Sequence, residues 1–213
     1  MSTVLLLALA ASAAPNPPPL ESSMPEPTTD AEVSRHLAAA RTTRGSPPDV
    51  RERDRAVAWL LAHADVAFPI VLESARGKPA DATLIELLGW FRRAEATPVL
   101  LQAFGGDAWV RQYAAGALGA SPDPAARVAL VTSLNSTDAG VVVAALAGLG
   151  ASTDPAACAH VLPHIRSPGV EIRWMAVHAA ATLGCIGRAE LAEIANMDTD
   201  ATVRALAAER AAR

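Results

Sequence analysis

Like residues return every 31 positions through the C-terminal half of this chain. Val110, Val141, Ile172 and Val203 keep that step, as do Ala114, Ala145, Ala176 and Ala207. Arg111, Arg173 and Arg204 fall on the same lattice, with Val142 interrupting the series. Asp138 stands one period after Asp107, and Asp200 two periods after Asp138. A fixed period of this size marks stacked supersecondary units, none able to bury its apolar side alone. It predicts an elongated solenoid whose flank recognises a partner.

Composition says what the units are made of. Of 213 residues, 51% are hydrophobic but only 4% aromatic, and small residues, chiefly Ala, dominate. Ala and Leu suit closely stacked helices, whereas a β-sandwich draws on Val, Ile, Thr and aromatics. The expectation is an all-α fold. A formal charge of −4 argues against nucleic acid, whose phosphates call for a basic face. Lys78 is the only lysine, which reads as base composition more than chemistry.

The punctuation supports helix pairs. Leu118-Gly119 and Leu149-Gly150 are read as the ends of first helices, with glycine in the left-handed conformation that closes a helix. Asp123-Pro124 and Asp154-Pro155 open second helices, the carboxylate capping free N–H groups and the proline having none to leave unpaired. Asp107, Asp138 and Asp200 cap first helices in the same way, each cap being worth about 1 kcal/mol. Five pairs follow: 50–63 with 66–76, 82–92 with 97–104, 108–118 with 124–134, 139–149 with 155–165, and 170–183 with 188–195. Residues 201–212 open a sixth unit. In the fifth, Leu183-Gly184 comes three residues late, so its first helix is longer or its turn wider.

Units such as Asp107–Gly119, followed by Asp-Pro and a Leu-rich second helix, resemble HEAT repeats, in the short form named for phycobilisome lyases. The resemblance covers residues 49–213, about five and a half repeats, and implies an α-solenoid of stacked antiparallel helix pairs, an armadillo-type superhelix. It further implies a ladder of Asp107, Asp138 and Asp200 with Arg111, Arg173 and Arg204, structural in role and worth ~0–1 kcal/mol per exposed pair. It puts the second helices on the concave side, offering Gln102, Arg127, His160, His164 and Glu193 to a partner.

Ahead of the array, residues 1–13 carry a short apolar run, Val4–Ala11, and an Ala11-Ser12-Ala13 cleavage signal, though no Lys or Arg precedes them. They read as a secretory leader, so the expected location is periplasmic or extracellular, and otherwise cytoplasmic. The run is too short to span a bilayer. Residues 14–28 are Pro-rich and read as a PPII-like linker. Residues 29–45 read as a capping helix, opened by a Thr29/Glu32 capping box and broken at Gly45-Ser46-Pro47-Pro48.

Among chemistry-bearing residues, His160 and His164 share a helix face near Cys158, but no His-Glu-x-x-His string and no third ligand accompany them, and Pro163 disturbs the helix. The reading is structural, with no metal and no cofactor. Cys158 and Cys185 fall in neighbouring units; a bridge is open to them, but two small buried thiols is the favoured expectation. Trp90, Trp109, Trp174, Tyr113 and Phe91 are expected to fill gaps between Ala-rich helices, with Trp109 the best candidate for exposure. No phosphate-loop, dinucleotide or nucleophile-elbow string is present. The expected function is therefore a non-enzymatic protein-binding or scaffolding module. The alternative is a lyase-like or chaperone-like accessory that holds a prosthetic group or its acceptor protein, with Cys158 and Cys185 as its only candidate thiols.

Overall fold

The structure, a computed structural model, describes residues 29–41 and 47–213. The expected leader at 1–13, the linker at 14–28 and the last residues of the 29–45 segment lie outside the described residues. Helix α1 (Asp30–Ala40) starts at Thr29, whose side chain accepts from the Glu32 N–H while the Glu32 carboxylate accepts from the Thr29 N–H. Its apolar face, Val33, Leu37 and Ala40, packs on the first pair, α2 (Pro47–Ala62) and α3 (Ala64–Gly77).

The remaining first helices are α4 (Ala82–Phe91), α6 (Ala108–Ala120), α8 (Ala139–Ala151), α10 (Val170–Leu183) and α12 (Ala201–Ala211). The second helices are α5 (Thr97–Phe104), α7 (Pro124–Ser133) and α11 (Arg188–Met197), together with a segmented one in the fourth unit. That one is a 3₁₀ turn (Pro155–Ala157), a single α turn, α9 (Cys158–Val161), and a 3₁₀ stretch (Leu162–Arg166). Pro163 has no N–H to return to the preceding turn, which favours the tighter winding.

Side-chain caps open the helices where the sequence puts Asp. Asp107 accepts from the N–H of Trp109 and Val110, Asp138 from Gly140, and Asp200 from Thr202 and Val203. Asp123 and Asp154 do the same for Ala125 and Ala156. The fifth unit has Gly169 at this place, and no side chain caps α10.

Glycine supplies a correction. Gly119 and Gly150 do not end helices in a left-handed conformation; α6 and α8 run past them to Ser121 and Ser152, both extended. They are small because neighbouring first helices touch there. A Cβ on Gly119 would come within 1.9 Å of the Gly148 carbonyl oxygen, and one on Gly150 within 2.9 Å of the Ala179 Cβ. Among the described glycines only Gly184, at φ +73°, takes the left-handed turn, and it ends α10, the helix whose Leu-Gly mark comes late.

These contacts make the first helices the tighter row: α4, α6, α8, α10 and α12 lie directly on one another, while neighbouring second helices hardly touch. Each second helix instead packs on the first helix of the next unit. The repeat marks Val110, Ala114, Ala145, Ala176, Val203 and Ala207 are all buried between the rows, at no more than 2% exposure.

Candidate functional site

Because the second helices stand apart, a groove opens between Leu162–Arg166 and α11. It encloses about 680 Å³. Ile165, Ile186 and Ile194 give it an apolar floor, and Leu162 and Met197 stand exposed at its mouth, Met197 to 75%. Glu190 and Glu193 rim one wall and Arg166 the other. A cleft of this size, apolar inside with a few charges at the edge, is the usual form of a recognition site. Single exposed apolar residues are ordinary on a protein surface; a contiguous set lining a concavity is not.

The groove is held by two cross-links. At its base, Arg173 on α10 makes a two-pronged ion pair with Asp198: Nε to Oδ2 at 2.9 Å and Nη2 to Oδ1 at 3.0 Å. Both side chains are largely shielded, and the remaining nitrogen of Arg173 donates to the Ser167 and Pro168 carbonyls at 3.1 Å. The Arg173 hydrogen bonds hold the Asp198 carboxyl below its ordinary range, helped by the Asp200 N–H, and the same contact raises Arg173. At the head of the groove, Cys158 on α9 is bonded to Cys185 beside Ile186 in the α10–α11 turn. This corrects the expectation of two buried thiols. The two cysteines are 27 residues apart in sequence, yet the helix pair brings their Cα atoms to 5.4 Å, within disulfide reach.

The other predicted residues are scattered. Glu193 lies on the groove. Gln102 and His160 are exposed on their own second helices, and His164 is half-buried, with burial lowering its pKa. Arg127 pairs with Asp154 of the next unit across a smaller cleft of about 330 Å³. His160 and His164 gain no third ligand: among the described residues no group of three His, Cys, Asp or Glu side chains is placed to hold a metal.

The Asp–Arg ladder forms only in part. Arg111 lies 3.7 Å from Asp138, whose side chain is largely exposed, but Arg173 chooses Asp198 over Asp200. What repeats is a different contact. Arg111 donates to the Phe104 and Gly106 carbonyls, Arg173 to Ser167 and Pro168, and Arg204 to Asp198 and Thr199. Each arginine clasps the turn that precedes its own helix. Sequence reasoning missed Asp198, although a signal was present: Ser136, Ser167 and Asp198 keep the step of 31. Each accepts from the backbone N–H two residues on, at 3.1, 3.4 and 2.8 Å.

The tryptophans divide. Trp109 is 62% exposed, as expected, but Trp90 is 43% exposed rather than gap-filling, because it lines an open cleft that α4 forms with α6. Phe91 and Trp174 are partly buried against the core, Trp174 stacked with His178. Among the described residues no single helix is long and apolar enough to cross a membrane.

No curated protein is significantly similar to this chain. Among solved structures, the complex of CpcE and CpcF of phycocyanin lyase from Nostoc sp. PCC7120 is similar at 19% identity and a TM-score of 0.51, over 96% of this chain and 80% of that one. At that identity the likeness concerns the fold. The family described as HEAT repeats matches residues 70–147 and 97–181. The two matches together span residues 70–181, more than half of the sequence, and include α4, α6, α8 and most of α10, so the chain belongs to the HEAT-repeat family.

Proposed function

We propose that this protein is a non-enzymatic binding module that seats a helical segment of a protein partner in the groove between Leu162–Arg166 and α11. One observation carries the reading: Leu162 and Met197 are exposed at the mouth of a concavity floored by three isoleucines. An amphipathic helix with apolar residues at i, i+3/i+4 and i+7 fills such a groove, and Met accommodates varied side chains. Glu190 and Glu193 favour a basic residue on the partner at their wall. The disulfide and the Arg173–Asp198 pair fix both walls beforehand, so less conformational freedom is lost on binding.

The fold's likeness to a lyase complex leaves an accessory role in view. In that reading a thiol would hold the prosthetic group, and both thiols of this chain are in the disulfide. The disulfide also supports export, since such bonds persist in oxidising compartments. A mature N-terminus near Ala14 would agree with that, and an intact Met1 on cytoplasmic protein would not.

The test is parallel affinity capture from the native compartment with the parent chain and a Leu162→Glu/Met197→Glu variant of unchanged melting temperature. A partner retained by the parent and lost by the variant supports the groove. Equal capture by both chains removes it.

A further inference from the structure

A second surface lies away from that groove, on the first-helix row. Trp90 of α4 and Tyr113 of α6 flank a cleft of about 360 Å³ whose other lining includes Gln112 and Gly116, and Trp109 stands exposed outside it against Tyr113. Tyr113 meets Trp109 edge to face at 5.3 Å, so the two form one ridge, and Trp90 forms the other. The indole N–H groups of Trp90 and Trp109 and the amide of Gln112 have no hydrogen-bond partner among the described residues. Gly116 leaves the floor open, for a Cβ there would meet nothing within 4 Å. Exposed aromatic ridges with free donors suit a ligand that offers ring faces and carbonyl oxygens but few N–H groups. A proline-rich segment is that ligand.

The chain carries such a segment itself. Pro15-Asn16-Pro17-Pro18-Pro19 and Pro25-Glu26-Pro27 precede the described residues, and Pro15 and Pro18 are three apart. Three residues of polyproline II advance about 9 Å. Neighbouring packed helices, such as α4 and α6, are typically separated by about 8–10 Å. One turn of the segment is therefore commensurate with the spacing of adjacent first helices. The tether is long enough: α1 begins at Asp30 against the first helix pair, and the 14 residues from 15 to 28 reach roughly 43 Å at polyproline II spacing. The first pair touches α4 directly, so one to two helix diameters, about 10–20 Å, separate it from the cleft.

We infer that the cleft between Trp90 and Tyr113 is the docking site of this chain's own Pro15–Pro27 segment, with Pro15 and Pro18 against Trp90 and the Tyr113–Trp109 ridge. Docked, it covers the exposed indoles, and a competing proline-rich ligand would have to displace it.

Acrylamide quenching of tryptophan fluorescence in the full chain tests this. A Pro15→Glu/Pro18→Glu variant should be quenched about twofold more strongly than the parent. A synthetic peptide of residues 15–28 should reverse that increase saturably. In a Trp90→Phe/Trp109→Phe background, where only Trp59 and Trp174 report, the proline substitutions should have no effect. A benzophenone amino acid at position 20 should cross-link to α4 or α6 within one chain. Unchanged quenching in the proline variant, or a peptide that does not saturate, overturns the inference. So does cross-linking only between chains, with a dimer in light scattering, which would make a second copy the occupant.

Discussion

Gly119 and Gly148 meet so closely that any side chain on the first would strike the backbone of the second: a Cβ on Gly119 would stand 1.9 Å from the Gly148 carbonyl oxygen. Gly119→Ala should therefore force α6 and α8 apart and destabilise by about 3 kcal/mol, at the upper end of overpacking effects. Gly116→Ala, three residues away on the same helix but facing open space, should stabilise by about 0.5–1 kcal/mol through helix propensity. Urea unfolding of both variants checks the pair; equal effects would contradict the seam.

The disulfide spans 27 residues, from the fourth unit to the turn of the fifth. Closing a loop of that length restricts the unfolded chain, and the loop-entropy relation gives about 3–4 kcal/mol. Cys158→Ser/Cys185→Ser should lose that amount, and partner affinity should fall with it if the wall of the groove loosens. Thermal melts of the parent with and without a dithiol reductant should show the same difference.

Asp198 gives the molecule an acid limit. Its carboxyl is held below the ordinary range chiefly by the Arg173 hydrogen bonds, so the unfolded state takes up a proton first as pH falls. The stabilisation is fully present above the unfolded carboxylate value of about 4 and is lost below it. Asp198→Asn should cost about 2 kcal/mol at pH 7, between the values for exposed and buried pairs, and should flatten the decline of stability between about pH 5 and pH 2. Denaturation of both proteins across that range is the measurement.

His178 acts nearer neutrality. Its Nδ1 accepts from Arg210 at 2.9 Å, its ring stacks on Trp174, and the Arg210 Nε has no partner of its own. Burial first, then the Arg210 charge, lower its pKa, while Glu209 opposes. The unfolded state therefore binds the proton more readily, and stability should fall as pH drops below about 6.5. His178→Asn should reduce that slope without abolishing it, since burial lowers His36 and His164 in the same sense. Melting temperatures between about pH 7.5 and pH 5.5 would show it.

Helices and their order were legible because their signals are local. An Asp cap acts on N–H groups two or three residues away, a proline acts on its own turn, and a period of 31 needs no knowledge of neighbours. Thus α6, α7, α8 and α12 begin directly after the Asp107, Asp123, Asp138 and Asp200 caps. What a side chain meets 25 or more residues away was not legible. The same Leu-Gly pair ends α10 at Gly184 but only narrows α6 at Gly119, because the second glycine faces a neighbouring helix. Arg173 pairs with Asp198 instead of the cap Asp200, Cys158 finds Cys185, and Trp90 emerges into solvent, all through how one pair leans on the next. The sequence alone determined a row of helix pairs, since local hydrogen bonding and periodic burial suffice for that. Only the tertiary structure decided where the row leaves a groove, because the spread between second helices is set by how closely Gly and Ala let the first helices approach.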